Sequence, residues 1–533
     1  MTEEARLYFG GEIHTLDPAR PRASAVGVRS GRIVAVGSER ECRAALGEHF
    51  SAMDLRGRSL LPGFIDTHLH PIMMVYYAMN ADLAGLRSIE EVRRRLREAG
   101  ARASGDEWAM GLDFNDEDWD EPCLPTRHDL DVACPDRPAL IVKHDGHLVI
   151  GNSRAVELAG ICSDTPDPDG GEIDRESDGS PAGPFREAAT ALLLGAMPGP
   201  NLERMRDEAA VVFQRLAAHG VTSAGIVLQT DGEGPAGPAG ALELLGMQIL
   251  LDAVPQSTYA LLIGADLEKV LAARATPLHD AAAGRRVGGL KILSDGTFGS
   301  CTACMSLPFH DQPERRGFMT LEEGEIYRRM AEAHAAGLQI ATHAIGDEAN
   351  RRCVALYERL LAEHPRRDHR HRLEHASLLD AETIQRIAQL GLVVSTQPMF
   401  IHSEKHWLHK RLGPERARRA YPLRSLLDAG VKVAGASDAP VESSDVLHAI
   451  SCCVTREGFE VHEAISAEEA VRVFTLDAAY AQSEEHEKGS ISPGKRADLV
   501  VLSESPSAVA PEAIREIRVE QTSIAGRVVY ERG

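Results

Sequence analysis

The stretch LPGFIDTHLHP, residues 61–71, predicts a short buried strand with two histidines just beyond its end. Residues 61–66 are mostly apolar, and His68 and His70 follow them. In an extended chain, side chains two positions apart project to the same side, so both imidazoles can reach one cation. Because the chain has 22 histidines, this pair alone does not establish a metal site.

Seven further apolar runs follow and alternate with segments of helical period. One such segment, EGEIYRRMAEAHAAG, closes with a glycine suited to a left-handed helix cap. The eight predicted strands lie at residues 61–66, 221–225, 247–253, 288–293, 338–342, 371–374, 391–395 and 431–436. Eight strand–helix units with mostly short connections predict an α/β fold, a (β/α)8 TIM barrel, at residues 61–485.

The connection between the first two strands departs from this pattern. About 150 residues separate them, which is far longer than an ordinary loop. This stretch includes the run SDTPDPDGGEIDRESDGSPAG, rich in proline, aspartate and glycine. We therefore expect an inserted lid or subdomain at about residues 75–215, above the barrel mouth.

Both ends of the chain contain short alternating strands separated by glycine-bearing turns. Strands at one end alone would leave unpaired edges, so we expect the two ends to pair with each other. Residues 1–60 and 486–533 are thus predicted to form one small β-sandwich-like domain built from both termini.

Composition narrows the class of protein. The formal charge of -22, from 80 acidic and 58 basic residues, argues against nucleic-acid binding and against anionic membrane surfaces. The start of the chain lacks the pattern of a signal peptide, and no run of 18 apolar residues occurs, so we expect a cytoplasmic protein with a small-molecule substrate. A homodimer is an assembly that the sequence leaves open.

The nine cysteines do not suggest a disulfide framework, because they are odd in number and scattered over a long chain. Cys301 and Cys304 form one CxxC pair. A redox pair or half of a zinc site would fit that spacing. Without a second CxxC nearby, two isolated thiols in a loop are the favoured interpretation.

Polar residues also stand at the ends of four later strands. Lys291 lies on the fourth strand, His343 follows the fifth, His375 the sixth and Asp438 the eighth. In a (β/α)8 barrel these carboxyl ends converge on the face where catalytic groups lie. Each residue alone could be an ordinary polar strand terminus, but the whole set together with His68 and His70 predicts one site.

This pattern resembles the amidohydrolase superfamily. The segments LPGFIDTHLHP, KILSDGTFGSCTA, THAIGD, RLEHAS, GASDAPV and GSISPGKRADLVVL are similar to the amidohydrolase family 3 branch, which includes N-substituted formamide deformylase. The resemblance covers nearly the whole chain. It is specific for the family and says less about the substrate.

The resemblance implies one or two divalent cations. His68, His70 and Asp438 would hold one ion, and His343 with His375 a second. Imidazole and carboxylate ligands suit zinc best, with manganese, iron or nickel as alternatives.

Lys291 needs an explanation of its own, because an ammonium beside a cation is repulsive. In similar family members this lysine is carbamylated and bridges two metal ions in a binuclear centre. Without the carbamate, Lys291 would be an outer group or an electrophile, and a site with one ion would be favoured.

The implied reaction is hydrolysis of a C–N bond in an amide, N-formyl or cyclic amide substrate. A metal-activated hydroxide would attack the carbonyl, while Asp438 takes the proton and returns it to the leaving nitrogen. An ester or lactone hydrolase or an isomerase could use the same site. A non-catalytic binding protein on the same barrel is a third alternative, although such relatives usually lose ligands and here every position is filled.

Four residues are predicted to bind substrate: Trp119, His147, Asp295 and Gln397. Each has an ordinary alternative, such as packing of the insert for the tryptophan or a loop cap for Asp295. Four other histidines lack placement at strand ends and are expected to be surface or packing residues: His310, His402, His406 and His409. Cys301 stands where family members commonly have arginine, which removes a bidentate clamp beside the mouth.

Overall fold

The computed structural model describes residues 5–116, 119–121, 123–143, 148–168, 170–199, 201–234 and 237–533. The chain forms two compact units, one of residues 1–72 and 213–533 and the other of residues 73–212. The sequence predicted an insertion at about residues 75–215. No helix in the described part of the chain has both the length and the apolar character needed to cross a membrane.

The first unit contains a sheet to which both ends of the chain contribute. Its strands are β1 (Ala5–His14), β2 (Arg22–Arg29), β3 (Arg32–Gly37), β4 (Ser51–Asp54), β5 (Ser59–Pro62), β20 (Leu499–Leu502), β21 (Val519–Ile524) and β22 (Arg527–Glu531). They pair in the order β22-β21-β20-β5-β1-β2-β3, with β4 beside β1. Strand β5 pairs antiparallel with β20, which joins the two termini in one hydrogen-bonded sheet. The small β-sandwich-like form that the sequence predicts for this domain stays a prediction.

The same unit contains eight parallel strands, joined side by side in chain order. They are β6 (Phe64–Leu69), β13 (Val221–Gln229), β14 (Ser257–Ile263), β15 (Arg285–Leu293), β16 (Gln339–Ala344), β17 (Arg372–His375), β18 (Val393–Thr396) and β19 (Lys432–Gly435). Every residue of β13 is buried, as expected for a parallel strand covered on both faces.

Backbone hydrogen bonds connect the first and last barrel strands at their carboxyl ends. The Asp438 N–H donates to the carbonyl of His68, and the His70 N–H donates to the carbonyl of Ala439, both at 2.8 Å. These bonds bring the two ends of the strand order together. The fold is therefore a TIM-barrel-like α/β barrel, as the sequence predicted.

The helices of this unit are α1 (Glu39–Leu46) beside the terminal sheet and a series around the barrel. The series comprises α8 (Glu243–Leu250), α9 (Leu267–Ala272), α10 (Glu323–Ala335), α11 (Asp347–Glu363), α12 (Ala381–Leu390), α13 (Met399–Glu404), α14 (Leu408–Leu412), α15 (Pro414–Ala417), α16 (Leu423–Asp428), α17 (Val446–Thr455), α18 (Ala467–Val473) and α19 (Leu476–Ala481). Helices α2 (Pro71–Met79) and α7 (Leu202–Ala218) span the two points where the chain passes between units.

The prediction for the third barrel strand was wrong. Residues 247–253 were expected to form it, but most of them lie in helix α8, and the strand is β14 further along the chain. A short apolar run such as MQILLDA is compatible with a buried helix turn as well as a strand. The sequence of β14, STYALLI, carries the β-branched and aromatic residues that favour a strand.

The first predicted strand, residues 61–66, is divided between two sheets. Its start belongs to β5 of the terminal sheet and its end to β6 of the barrel, with Gly63 between them. The Gly63 N–H donates to the carbonyl of Asp498. One continuous apolar run therefore serves two sheets, which periodicity alone does not reveal.

The second unit has a six-stranded sheet in the order β11-β12-β10-β9-β8-β7. The strands are β7 (Ala81–Asp82), β8 (Ala109–Phe114), β9 (Ala139–Lys143), β10 (Leu148–Gly151), β11 (Gly171–Arg175) and β12 (Pro181–Glu187), and its own helices are α3 (Ile89–Arg102), α4 (Arg127–Ala133), α5 (Ser153–Leu158) and α6 (Thr190–Leu194). Alternate residues of β10 pack into two separate apolar clusters, one with Ile150 and one with Val149. This unit thus has a core of its own.

Candidate metal centre

His68, His70 and Asp438 lie together at the carboxyl ends of the first and last barrel strands. His70 Nε2 lies 3.1 Å from Asp438 Oδ1, and His68 Nε2 lies 3.3 Å from the same oxygen. The possible ligand atoms of the three residues all lie within 4.8 Å of one another. Two imidazoles and one carboxylate form a donor set typical of zinc sites.

His343 and His375 extend this group across the neighbouring strands. Their ring centroids are 4.5 Å apart, and the ring of His375 is also 5.3 Å from that of His68. His375 and Asp438 have φ angles of 69° and 62°, in the left-handed region that residues other than glycine rarely adopt. Such strain is often found at functional sites, where the surrounding structure holds a side chain in a required direction.

Lys291, on β15, is the remaining member of the predicted set. Its side chain is buried, and its Nζ has no hydrogen-bond partner among the described residues. Burial lowers the pKa of Lys291 to about 8, although the carboxylates of Glu374 and Asp438 oppose that shift. An unpartnered buried amine beside imidazole and carboxylate side chains is an arrangement that a metal centre with a carbamylated lysine would satisfy. The residues present therefore fit a divalent cation.

In each of three histidines, one ring nitrogen donates a hydrogen bond to a protein oxygen, and the other nitrogen remains a possible metal ligand. His68 Nδ1 donates to Glu374 at 2.7 Å, His343 Nε2 to the Gly296 carbonyl at 3.2 Å, and His375 Nδ1 to the Gln397 side-chain oxygen at 2.9 Å. Such outer partners fix the tautomer and the orientation of metal-binding imidazoles. All three rings are therefore held as ligands would be.

The pair Arg372–Glu374 was missed by the sequence analysis. Arg372 donates to both carboxylate oxygens of Glu374 at 2.6 and 3.0 Å, and both side chains are fully buried. Burial alone would raise the pKa of Glu374, but the charges of Arg372 and Lys291 hold it well below its usual range. Glu374 is thus an anion facing His68. The available signal was two charged residues in alternation within the strand RLEH.

Asp295 connects the loops that follow β15 and β16. Its carboxylate accepts hydrogen bonds from the backbone N–H groups of Cys304, Ile345 and Gly346 at 2.9, 3.1 and 2.9 Å. It also lies 3.4 Å from His343 Nε2. Burial raises the pKa of Asp295 to about 7 despite these bonds. The contacts match the alternative interpretation as a loop cap, and a role in substrate binding stays a prediction.

The other predicted substrate residues have different surroundings. Gln397 receives the His375 hydrogen bond, and its amide nitrogen has no partner among the described residues. Trp119 packs in the apolar core of the second unit and is 4% exposed. His147 lies outside the described residues. Substrate binding by these three residues stays a prediction.

The segment around Cys301 contains an arginine contact from elsewhere in the chain. Cys301 and Cys304 are buried free thiols. The Arg411 guanidinium contacts Cys301 Sγ at 2.7 Å and donates to the carbonyls of Phe298 and Gly299. An arginine side chain therefore lies beside Cys301, but its guanidinium is already hydrogen-bonded to backbone carbonyls.

A second group at this end of the barrel was not predicted from the sequence. The ring of Phe400 lies 6.4 Å from the rings of both His375 and Tyr421. The Tyr421 hydroxyl donates to the carboxyl group of Glu404. Burial raises the pKa of Glu404 to about 8 and that of Glu442 to about 7. These residues follow strands β18 and β19, and no sequence motif marks their positions.

Comparisons with known proteins agree with this geometry. The amidohydrolase family model matches residues 51–530. A Bacillus subtilis (strain 168) protein named as an amidohydrolase, YtcJ, is 30% identical over 99% of both chains. N-substituted formamide deformylase of Arthrobacter pascens is 29% identical over 99% of this chain and 98% of its own.

A solved structure is similar over almost the same length. The crystal structure of an uncharacterized metal-dependent hydrolase from Pyrococcus furiosus has a TM-score of 0.76 and 26% identity, and the match covers 94% of this chain and 100% of that chain. Family model, relatives and fold agree over nearly the whole sequence. The chain therefore belongs to the amidohydrolase family and is an enzyme that acts on carbon–nitrogen bonds.

Proposed function

We propose that the enzyme hydrolyses an amide, N-formyl or cyclic amide bond at a divalent metal centre at the barrel mouth. The observation that carries this proposal is the convergence of six residues from five strand ends, one of them a buried amine without a hydrogen-bond partner among the described residues. They are His68, His70, Lys291, His343, His375 and Asp438.

The donor atoms divide naturally into two groups. His68, His70 and Asp438 would hold one ion, and His343 with His375 would hold a second, with zinc the metal that this donor set favours. When bound, a divalent cation polarises a carbonyl and lowers the pKa of a coordinated water.

Asp438 is the residue proposed to move the proton. Burial alone would raise the pKa of Asp438, but the neighbouring His68 and the hydrogen bond from His70 hold it well below its usual range. The carboxylate is thus ionised at neutral pH and able to accept a proton from the attacking water. It would then return that proton to the leaving nitrogen, as a general acid and base.

Lys291 is proposed to carry a carbamate when two ions are present. Its buried side chain places an ammonium among candidate ligands, where a cation would repel it. The lowered pKa of Lys291 increases the neutral fraction of its amine, which is the form that combines with carbon dioxide. The resulting group would be anionic and would bridge the two ions.

The substrate class rests on the relatives and on the form of the site. One relative is named N-substituted formamide deformylase, and N-formyl amines are therefore the first substrates to test. The Gln397 amide nitrogen, beside His375, has no partner in the part of the chain that the structure describes, and Gln397 is proposed to contact the substrate.

Elemental analysis of gently purified enzyme, combined with intact mass and hydrolysis assays, tests this function. We expect about two zinc ions per chain that depend on the residues at the barrel mouth, a labile mass increase of one carbon dioxide, and turnover of N-formyl amines or amides above that of matched esters. A protein that binds no metal and hydrolyses neither class would contradict the proposal. A preference for esters or lactones would leave the proposed metal site in place but contradict the proposed reaction.

A further inference from the structure

Outside the metal centre, two histidines and a glutamate converge on another point of the first unit. His402 Nδ1 lies 2.8 Å from Glu457 Oε2, and His448 Nε2 lies 3.0 Å from Glu457 Oε1. The two imidazole rings are 4.7 Å apart and nearly perpendicular. His402 lies on α13, His448 on α17, and Glu457 in the turn after α17. We call these three residues the 402/448/457 cluster.

The geometry of the cluster suits a tetrahedral cation site. Its possible ligand atoms lie within 4.8 Å of one another, as they do in the set His68, His70 and Asp438. The Glu457 side chain is 13% exposed, whereas that of His402 is 45% exposed. One side of the cluster is therefore open for a water or ligand in the fourth position, and two histidines with one glutamate are a recognised zinc donor set.

The turn that carries Glu457 is held in a fixed conformation. Arg456 and Glu457 have φ angles of 53° and 46°, which are strained for residues with side chains. The buried Arg456 guanidinium donates to the carbonyls of Tyr421, Ala420 and Phe459 at 2.9, 3.1 and 3.2 Å. These bonds keep the carboxylate facing the two imidazoles, so a cation would meet a preorganised site.

Lys405 supplies the positive charge at this cluster in the structure. Its ammonium donates to Glu457 Oε2, the oxygen that also contacts His402. The Lys405 side chain is 20% exposed and flexible enough to turn towards solvent. Because an ammonium and a metal ion would share the same carboxylate oxygen, Lys405 is expected to compete with a bound cation.

We propose that His402, His448 and Glu457 bind a divalent cation of the zinc type, separate from the centre at His68, His70 and Asp438. The ion would tie the helix after β18 to the segment after β19. Ser403, next to His402, already donates to Glu442, four residues beyond Asp438. A cation here would therefore fix the segments that carry two parts of the catalytic mouth.

Zinc stoichiometry of the intact enzyme at a fixed free zinc concentration tests the site. We expect the unsubstituted enzyme to retain one more zinc per chain than the double variant His402→Ala, His448→Ala. His406→Ala is the matched control, because His406 is exposed on the same segment and lies outside the cluster. Equal zinc content in the enzyme and the double variant would overturn the proposal.

The variant Lys405→Met tests the competition and does not remove any ligand. It is expected to bind the additional zinc several-fold more tightly, since the ammonium no longer neutralises Glu457. In a variant whose mouth centre alone holds zinc, added Co2+ should then give the absorption bands of a tetrahedral ion. If Lys405→Met neither tightens the additional zinc nor takes up Co2+, the cluster is an ion-pair network and the proposal is wrong.

Discussion

Two groups of histidines occupy opposite ends of the same barrel, and their hydrogen bonds differ. The floor histidines, before the amino ends of β16 and β17, are His334, His369 and His371. His334 bonds to His371 at 2.8 Å and to the His364 carbonyl at 2.9 Å. The backbone supplies partners for the remaining ring nitrogens of His369 and His371. Every ring nitrogen of the floor histidines is therefore satisfied within the protein.

The mouth histidines, His68, His70, His343 and His375, are bonded differently. In each of His343 and His375, one ring nitrogen makes a hydrogen bond, at 3.2 and 2.9 Å respectively. The other ring nitrogen remains available as a metal ligand. Both groups are largely buried, so burial does not distinguish them. Incomplete hydrogen bonding at the catalytic end of the barrel does distinguish them. Lys291 Nζ and Gln397 Nε2 are buried there without partners among the described residues, whereas buried polar groups in a purely structural role are normally satisfied.

The strongest test of this contrast is Asp438→Asn at the mouth. The amide is a poorer metal ligand and does not act as a base, so kcat/KM should fall by roughly 10²–10⁴-fold or more. Steady-state assays on zinc-saturated protein measure the loss. Asp428→Asn, on a side chain that is 66% exposed, is the control and should retain activity. Near-normal turnover by Asp438→Asn would remove this residue from the mechanism.

A substitution at the floor should have the opposite signature. His371→Phe keeps an aromatic ring beside Tyr357 but leaves the Ile340 N–H and His334 without their partners. The free energy of unfolding should fall by about 2–4 kcal/mol, because each buried group left unsatisfied costs about 1–3 kcal/mol. Denaturant unfolding measures this change.

The activity of the folded fraction should be unchanged in His371→Phe. The exposed His364 offers a matched control, since His364→Ala retains the carbonyl that His334 uses. If His371→Phe remained stable but lost zinc, the two histidine groups would not be functionally separate.

Gln397 shares features of both groups. Its side-chain oxygen satisfies one nitrogen of His375, while its own amide nitrogen has no partner within the described residues. If Gln397 orients His375, Gln397→Ala should lower zinc affinity and kcat by about 10–100-fold, and added zinc should restore part of the activity. Gln385→Ala, on the exposed face of α12, is the control. A rise in KM alone, with zinc binding intact, would instead support the substrate contact predicted from the sequence.

The sequence predicted the barrel where the pattern was local and repeated. Seven of the eight strands were recognised because each is a short apolar run next to a helical segment. The third was misplaced because α8 is itself an apolar run. The division of residues 61–66 between two sheets depends on pairing with β20, a contact distant in sequence.

At the site, local sequence patterns predicted residue types at strand ends but not their partners. His68 was recognised from its position after a strand, whereas the Glu374 that orients it is a charged residue inside another strand. Likewise, His402 was predicted to be a surface or packing residue because it follows no strand end, although folding brings it to Glu457. Contacts between distant segments are set by tertiary packing, and local patterns do not encode them individually.

The smallest expected effect extends the comparison from histidines to carboxyl groups. Burial raises the pKa of Glu404 from 4.5 to about 8, so between these pH values the folded protein binds a proton that the unfolded chain has released. The stability contributed by this proton is present below pH 4.5 and is lost as the pH rises towards 8. Glu404→Gln retains a neutral side chain at every pH. Its melting midpoint relative to the unsubstituted enzyme should therefore rise between pH 5 and pH 8, by about 2 °C.

Thermal melting across this range measures the difference, with the exposed Glu415→Gln as control. If the difference in melting midpoint between Glu404→Gln and the unsubstituted enzyme stays constant with pH, Glu404 is ionised in the folded state. The mouth would then stabilise its buried carboxylate as fully as the floor satisfies its histidines.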